Sequence, residues 1–146
     1  MSELKELLLA PDKRALVIRD AEALVDSEVQ GKGGISGFAI KAGYKAATSV
    51  KPSLVRDALN NLIDRFVDRI EPFYQEWKGG GPSGGFDQFL IGRSKAVANA
   101  LLGVTDERAR SASGVVKKTY EKLRPQGEKN VEAAVPGLAR LIQRHL

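Results

Sequence analysis

Cysteine is missing from the 146-residue sequence, and histidine occurs once, as His145 beside the C-terminus. The first absence excludes a disulfide framework, a thiolate zinc site, an iron–sulfur cluster and a cysteine nucleophile. The second excludes multi-histidine metal sites and a Ser-His-Asp triad. No apolar run approaches the roughly 18 residues that a membrane span requires. Near the start, Glu3 and Glu6 stand where a secretory signal would be basic and then apolar, so a cytoplasmic protein with no membrane span is expected. Runs of alternating β-branched residues joined by hairpin turns are also missing, and no internal repeat stands out. No cofactor fingerprint remains, and no cofactor is expected.

What is present describes an ordinary water-soluble domain. Hydrophobic residues make up 42% and charged residues 28%, which places the chain among folded rather than disordered sequences. Its length suffices to bury a core without disulfide or metal staples. The formal charge is +5, and nine basic against five acidic residues after position 100 account for most of it.

The spacing of apolar residues is helical nearly throughout. It predicts helices over 3–9, with Ser2 as N-cap, then 12–30, 35–50 and 53–70, and a capped turn at Thr105. On the helix over 53–70, Leu54, Val55, Ala58, Leu59, Leu62, Ile63, Phe66, Val67 and Ile70 form a wide apolar stripe. Pro72 kinks or restarts the fourth helix, which continues through Trp77. Residues 79–85 hold five glycines in seven and read as a flexible surface loop. Shorter helices follow over 87–91, 94–102 and 113–123, ending at Pro125-Gln126-Gly127, with a last one over 128–146 interrupted by Pro136-Gly137. The expected fold is all-α, a compact multi-helix bundle of seven or eight helices, several of them short, in one domain spanning 1–146.

Each cluster of chemically interesting residues has a structural alternative. Asp57, Asp64, Asp68 and Glu71 fall within roughly 60° on the helix over 53–70, opposite Leu59, Leu62 and Phe66. They read as a solvated face, because carboxylate metal sites in bundles point inward and are joined by histidine. Gly31-Lys32-Gly33-Gly34 lacks the preceding strand of a phosphate-binding loop. It resembles a helix-hairpin-helix turn only loosely, with Lys32 where an apolar anchor belongs.

Three groups remain as candidate sites. Ala39, Gly43 and Ala47, four apart, form a small-residue face suited to close helix packing, inside the domain or between two copies. Six of nine aromatics lie between 66 and 89. Of these, Phe73, Tyr74, Trp77, Phe86 and Phe89 either build a core cluster or line a small apolar pocket lidded by the glycine loop. Arg108, Arg110, Lys117, Lys118, Lys122 and Arg124 are opposed within 108–124 by Glu121 alone. They read as a solvated helix face or as a basic surface for nucleic acid. No convergent acid–base pair stands out, so the chain is expected not to be an enzyme.

Three stretches carry a resemblance: Ser2-Glu3-Leu4-Lys5-Glu6-Leu7-Leu8-Leu9 with Pro11-Asp12, Gly34-Ile35-Ser36-Gly37-Phe38-Ala39-Ile40-Lys41-Ala42-Gly43-Tyr44-Lys45, and Ala133-Ala134-Val135-Pro136-Gly137-Leu138. Together they resemble a family of small, uncharacterised bacterial proteins of about this length. The resemblance implies a free-standing helical protein and transfers no activity and no functional residue. Three functional readings stay open. The leading one is a binding domain acting through protein contacts, with a homodimer through Ala39, Gly43 and Ala47 as one form. The others are a nucleic-acid binder using 108–124 and a small apolar-ligand carrier using the aromatic cluster.

Overall fold

The computed structural model describes residues 3–80 and 84–146; the expected Ser2 cap and the middle of the glycine loop lie outside the described residues. Among the described residues there are seven helices and no strand: α1 Glu3–Leu8, α2 Arg14–Gln30, α3 Gly34–Val50, α4 Leu54–Gly79, α5 Phe86–Ile91, α6 Ser94–Arg110 and α7 Gly114–Arg144.

The 26-residue helix α4 is the hub, packing against α1, α2 and α6. Its buried residues Ile63, Val67, Ile70 and Tyr74 recur at four, three and four, the spacing that keeps one helical stripe turned to the core. Short α1 lies along it and buries Leu4 and Leu8 one turn apart. From α2 come Val17 and Ile18, from α6 Val97 and Leu101, and from α7 Val135, Ala139, Leu141 and Ile142.

Prolines do less to divide the chain than their sequence positions suggest. Pro72 lies inside α4, and Pro125 and Pro136 lie inside the 31-residue α7, where two helices were expected. A helical proline leaves the carbonyl four residues back without its partner and normally costs about 3 kcal/mol. Pro72 and Pro125 sit at exposed positions, as do Asp68 and Glu121 four residues before them, so water reaches the carbonyls left over. The buried run from Val135 to Ile142 then holds the distal half of α7 on the core. Gly137 permits that approach, because a Cβ there would lie 2.6 Å from the Leu24 side chain of α2. Likewise α6 runs on through Thr105 to Arg110, beyond the end expected near 102.

The turn into α3 needs glycine twice. Gly34 has φ +74°, a left-handed conformation that L side chains rarely take, and a Cβ on Gly37 would lie 2.7 Å from the Lys32 backbone. Past the turn α3 is poorly covered: Phe38 is 75% exposed and Val50 88%.

The acidic face of α4 is a set of tethers. Asp68 pairs with Lys5 at 2.9 Å, Asp64 with Arg14 at 3.2 Å and Asp57 with Lys51 at 3.1 Å, while Glu71 accepts the Leu4 N–H at 2.8 Å. The Arg14 guanidinium holds the Asp64 carboxyl below the ordinary carboxylate range. Among the described residues no group of three or more potential metal ligands converges. The chain's end is pinned as well, with His145 Nε2 2.7 Å from Asp20 Oδ2 and Lys13 donating to the His145 carbonyl.

Candidate functional site

Five helices leave a gap where they meet. Leu4 and Leu8 of α1, Val17 and Ala21 of α2, and Leu59, Ile63, Phe66, Val67 and Ile70 of α4 line one side. Leu101, Leu102 and Thr105 of α6 and Val131, Leu138, Leu141 and Ile142 of α7 line the other. The cavity measures about 250 Å³ and its wall is wholly apolar. Nine of its lining residues are buried, whereas Ala21, Leu59, Phe66, Leu102, Thr105, Val131 and Leu138 are only half-buried, so it is not sealed from the surface. Thr105 keeps the wall apolar by engaging its hydroxyl elsewhere: Oγ1 donates to the Leu102 carbonyl at 3.0 Å and lies 2.8 Å from Tyr120 Oη.

A cavity of this kind arises from large apolar residues at helical spacing on several helices that meet at one place. Ridges on one helix fill grooves of its neighbour locally, but five helices meeting at a point leave volume that no single pair fills. It is also large. An apolar void of 150 Å³ stays dry and accepts benzene.

Beyond the Thr105–Tyr120 contact lies a second hollow of about 260 Å³ between α6 and α7, bordered by Asp106, Ala109, Arg110, Lys117, Tyr120, Glu121 and Arg124, whose aliphatic and aromatic parts supply most of its wall. Arg124 grips Asp106 with both its Nε, at 2.9 Å, and its Nη2, at 3.0 Å. Tyr120 donates to the same carboxylate. The guanidinium draws the Asp106 carboxyl below its usual range, and desolvation works against it. Burial, followed by the bond to Asp106, pushes the Tyr120 phenol up. Arg110 and Lys117 line the same hollow.

The candidate groups from the sequence are redistributed by the fold. Phe73, Tyr74, Trp77, Phe86 and Phe89 do not line the apolar cavity. Four of these rings pack on one another, Tyr74 edge-on to Phe86 at 5.3 Å, Trp77 at 5.5 Å from Phe86 and Phe89 stacked at 6.3 Å. Phe86 is fully buried, and the Trp77 indole donates to the Gly84 carbonyl at 3.0 Å, tying the end of α4 to the start of α5. These ring contacts fit the core-cluster reading of the five residues, while the centre of the loop expected to lid a pocket lies outside the described residues.

The basic segment 108–124 does not form one surface. At about 100° per residue, Lys117, Tyr120, Glu121 and Arg124 share one side of α7, and Lys118 and Lys122 point well away from it. Arg110 joins the first group, whereas Arg108 lines a different depression with Arg65 and Glu107. Arg124 is further neutralised by Asp106 and Glu128.

Ala39 and Gly43 are exposed and Ala47 is half-buried; a Cβ on Gly43 would meet nothing within 4 Å. The close-packing role inside the domain is thus corrected, and the close approach in this region belongs to Gly37.

Sequence reasoning missed the cavity. Leu59, Ile63, Phe66, Val67 and Ile70 appear in it only as a core stripe, and Thr105 only as a turn. The available signal was an α4 stripe wider than one neighbouring helix covers.

No helix among the described residues is long and apolar enough to cross a membrane. Neither the curated proteins nor the solved structures contain a match to the chain. The match that exists spans residues 4–146, nearly all of the sequence, and on that match the chain belongs to the Family of unknown function (DUF6918).

Proposed function

We propose that the chain is a non-enzymatic, cytoplasmic binding protein that holds a hydrocarbon between α1, α2, α4, α6 and α7. The observation that carries this reading is the 250 Å³ wholly apolar cavity. Its wall offers water no hydrogen bonds, so a hydrocarbon that covers it removes apolar surface from water. Scaling from benzene in a 150 Å³ void, about ten carbons fill it.

Displacement of the fluorescent probe N-phenyl-1-naphthylamine by 1-alkanols tests the reading. Saturable 1:1 displacement is expected, tightening about fourfold per methylene until roughly ten carbons and then levelling. Probe binding that no alkanol competes for, or affinity indifferent to chain length, would count against it.

A second reading keeps the protein-contact role and assigns it to α3, with a second copy of the chain as the partner. It is favoured by the exposure of Val50 on the same side of α3 as the bare backbone at Ala39 and Gly43, which lets two helices come close. Light scattering over a concentration series is expected to give a dimer that Gly43→Leu dissociates without unfolding; a strict monomer rejects it. The divergence of the 108–124 cations weighs against nucleic acid as the partner.

A further inference from the structure

The apolar cavity and the second hollow share a wall, and that wall is a pair of hydroxyl-bearing side chains. Thr105 lines the first, Tyr120 lines the second, and their oxygens are 2.8 Å apart. On the side of the second hollow the charges are unevenly paired. Asp106 is already held by Arg124 and by the Tyr120 hydroxyl. Arg110 and Lys117 make no ion pair of 4 Å or less among the described residues, and Glu121 is the acid left to oppose them. With Glu128 also on Arg124, the cluster is balanced in charge, but Arg110 and Lys117 are the two cations in it that no carboxylate grips, at the end of the hydrocarbon site that is one side chain from water.

From this juxtaposition, and resting on the hydrocarbon-binding reading above, we infer that the ligand is an anionic amphiphile of the medium-chain carboxylate class. Its alkyl chain fills the cavity and its carboxylate meets Arg110 and Lys117 beyond the Thr105–Tyr120 pair. The chemistry on each side favours this orientation. A carboxylate inside a wall with no polar surface would be desolvated without a partner. Outside it, a guanidinium offers two parallel donors and a lysine a third. Tyr120 moves aside for the chain to pass, and its hydroxyl exchanges Asp106 for the incoming carboxylate. Asp106 keeps both of its Arg124 bonds when the phenol leaves it.

The test compares decanoate, 1-decanol and decyltrimethylammonium by isothermal titration at neutral pH, on the wild-type chain and on an Arg110→Glu/Lys117→Glu double variant. Both positions are exposed, and circular dichroism checks that the variant folds. Decanoate is expected to bind about tenfold more tightly than 1-decanol, and the ammonium more weakly than either. In the double variant, decanoate is expected to fall to the level of 1-decanol or below, with 1-decanol itself unchanged. Equal affinity for all three compounds, or a decanoate affinity that the double variant leaves unchanged, overturns the head-group assignment and leaves the hydrocarbon site standing. Failure of all three compounds to bind overturns the hydrocarbon site itself, and this inference with it.

Discussion

Substituting Ala21 by leucine fills part of the cavity from its α2 side, and the consequence can be worked from the structure. Ala21 lines the cavity and is half-buried, so a longer side chain is directed into existing space. Leucine adds three carbons, each contributing about 0.8 kcal/mol when fully buried. With about half that burial achieved, the gain is roughly 1–1.5 kcal/mol, a rise in Tm of about 3–5 °C for a chain of this size. In a close-packed site the same change would instead cost about 1–3 kcal/mol through overpacking. The sign therefore reports whether the space is real. Urea unfolding, followed by far-ultraviolet circular dichroism and by Trp77 fluorescence, measures it. The same variant is also expected to lose most of the stabilisation that 1-decanol gives the wild type, since the leucine occupies the ligand's volume. Loss of more than about 1 kcal/mol on Ala21→Leu would refute the reasoning.

Phe86→Ala removes a fully buried ring that touches three other aromatics and is expected to cost about 3–5 kcal/mol, read as a lower urea midpoint. Two glycines inside α7, Gly127 and Gly137, are expected to respond unequally to alanine. Gly127→Ala, with nothing within 4 Å, gains up to about 1 kcal/mol from helix propensity, whereas Gly137→Ala gains less because the Leu24 side chain must swing aside. Asp106 has its pKa drawn down by Arg124, so its contribution is complete above the unfolded carboxylate value and is lost as pH falls through the lower folded one. Asp106→Asn is accordingly expected to lower stability at pH 7 and to flatten the acid limb of a stability–pH curve below about pH 4.

How far the sequence reveals this molecule depends on which interactions set each feature. The buried stripe of α4 is legible because periodicity alone decides which side of a helix turns inward. Ile63, Val67 and Ile70 were all in the expected stripe, and all are buried. The continuity of α7 is not legible. Local chemistry puts breaks at Pro125 and Pro136, and they are overridden by the packing of Val135, Ala139 and Ile142 against helices far away in sequence. The start of α4 failed in the opposite direction. Leu54 and Ala58 belong to the same stripe but remain exposed, since the core does not extend beneath them. The cavity was hidden for a further reason. A void is what five helices fail to fill, so no residue marks it, and its lining reads as ordinary core. The basic segment shows the reverse error: residues clustered in sequence are spread by a helix over several directions, and only Arg110, Lys117 and Arg124 meet.

The most direct test of the hydrocarbon site is methyl-resolved nuclear magnetic resonance of the chain titrated with 1-decanol. Saturable shifts and intermolecular Overhauser contacts are predicted between the alkyl chain and the methyl groups of Ile63, Leu101 and Ile142, which line the cavity from three different helices. Contacts confined to the exposed Val50 and Phe38 of α3, or no saturable change at any methyl, would contradict it.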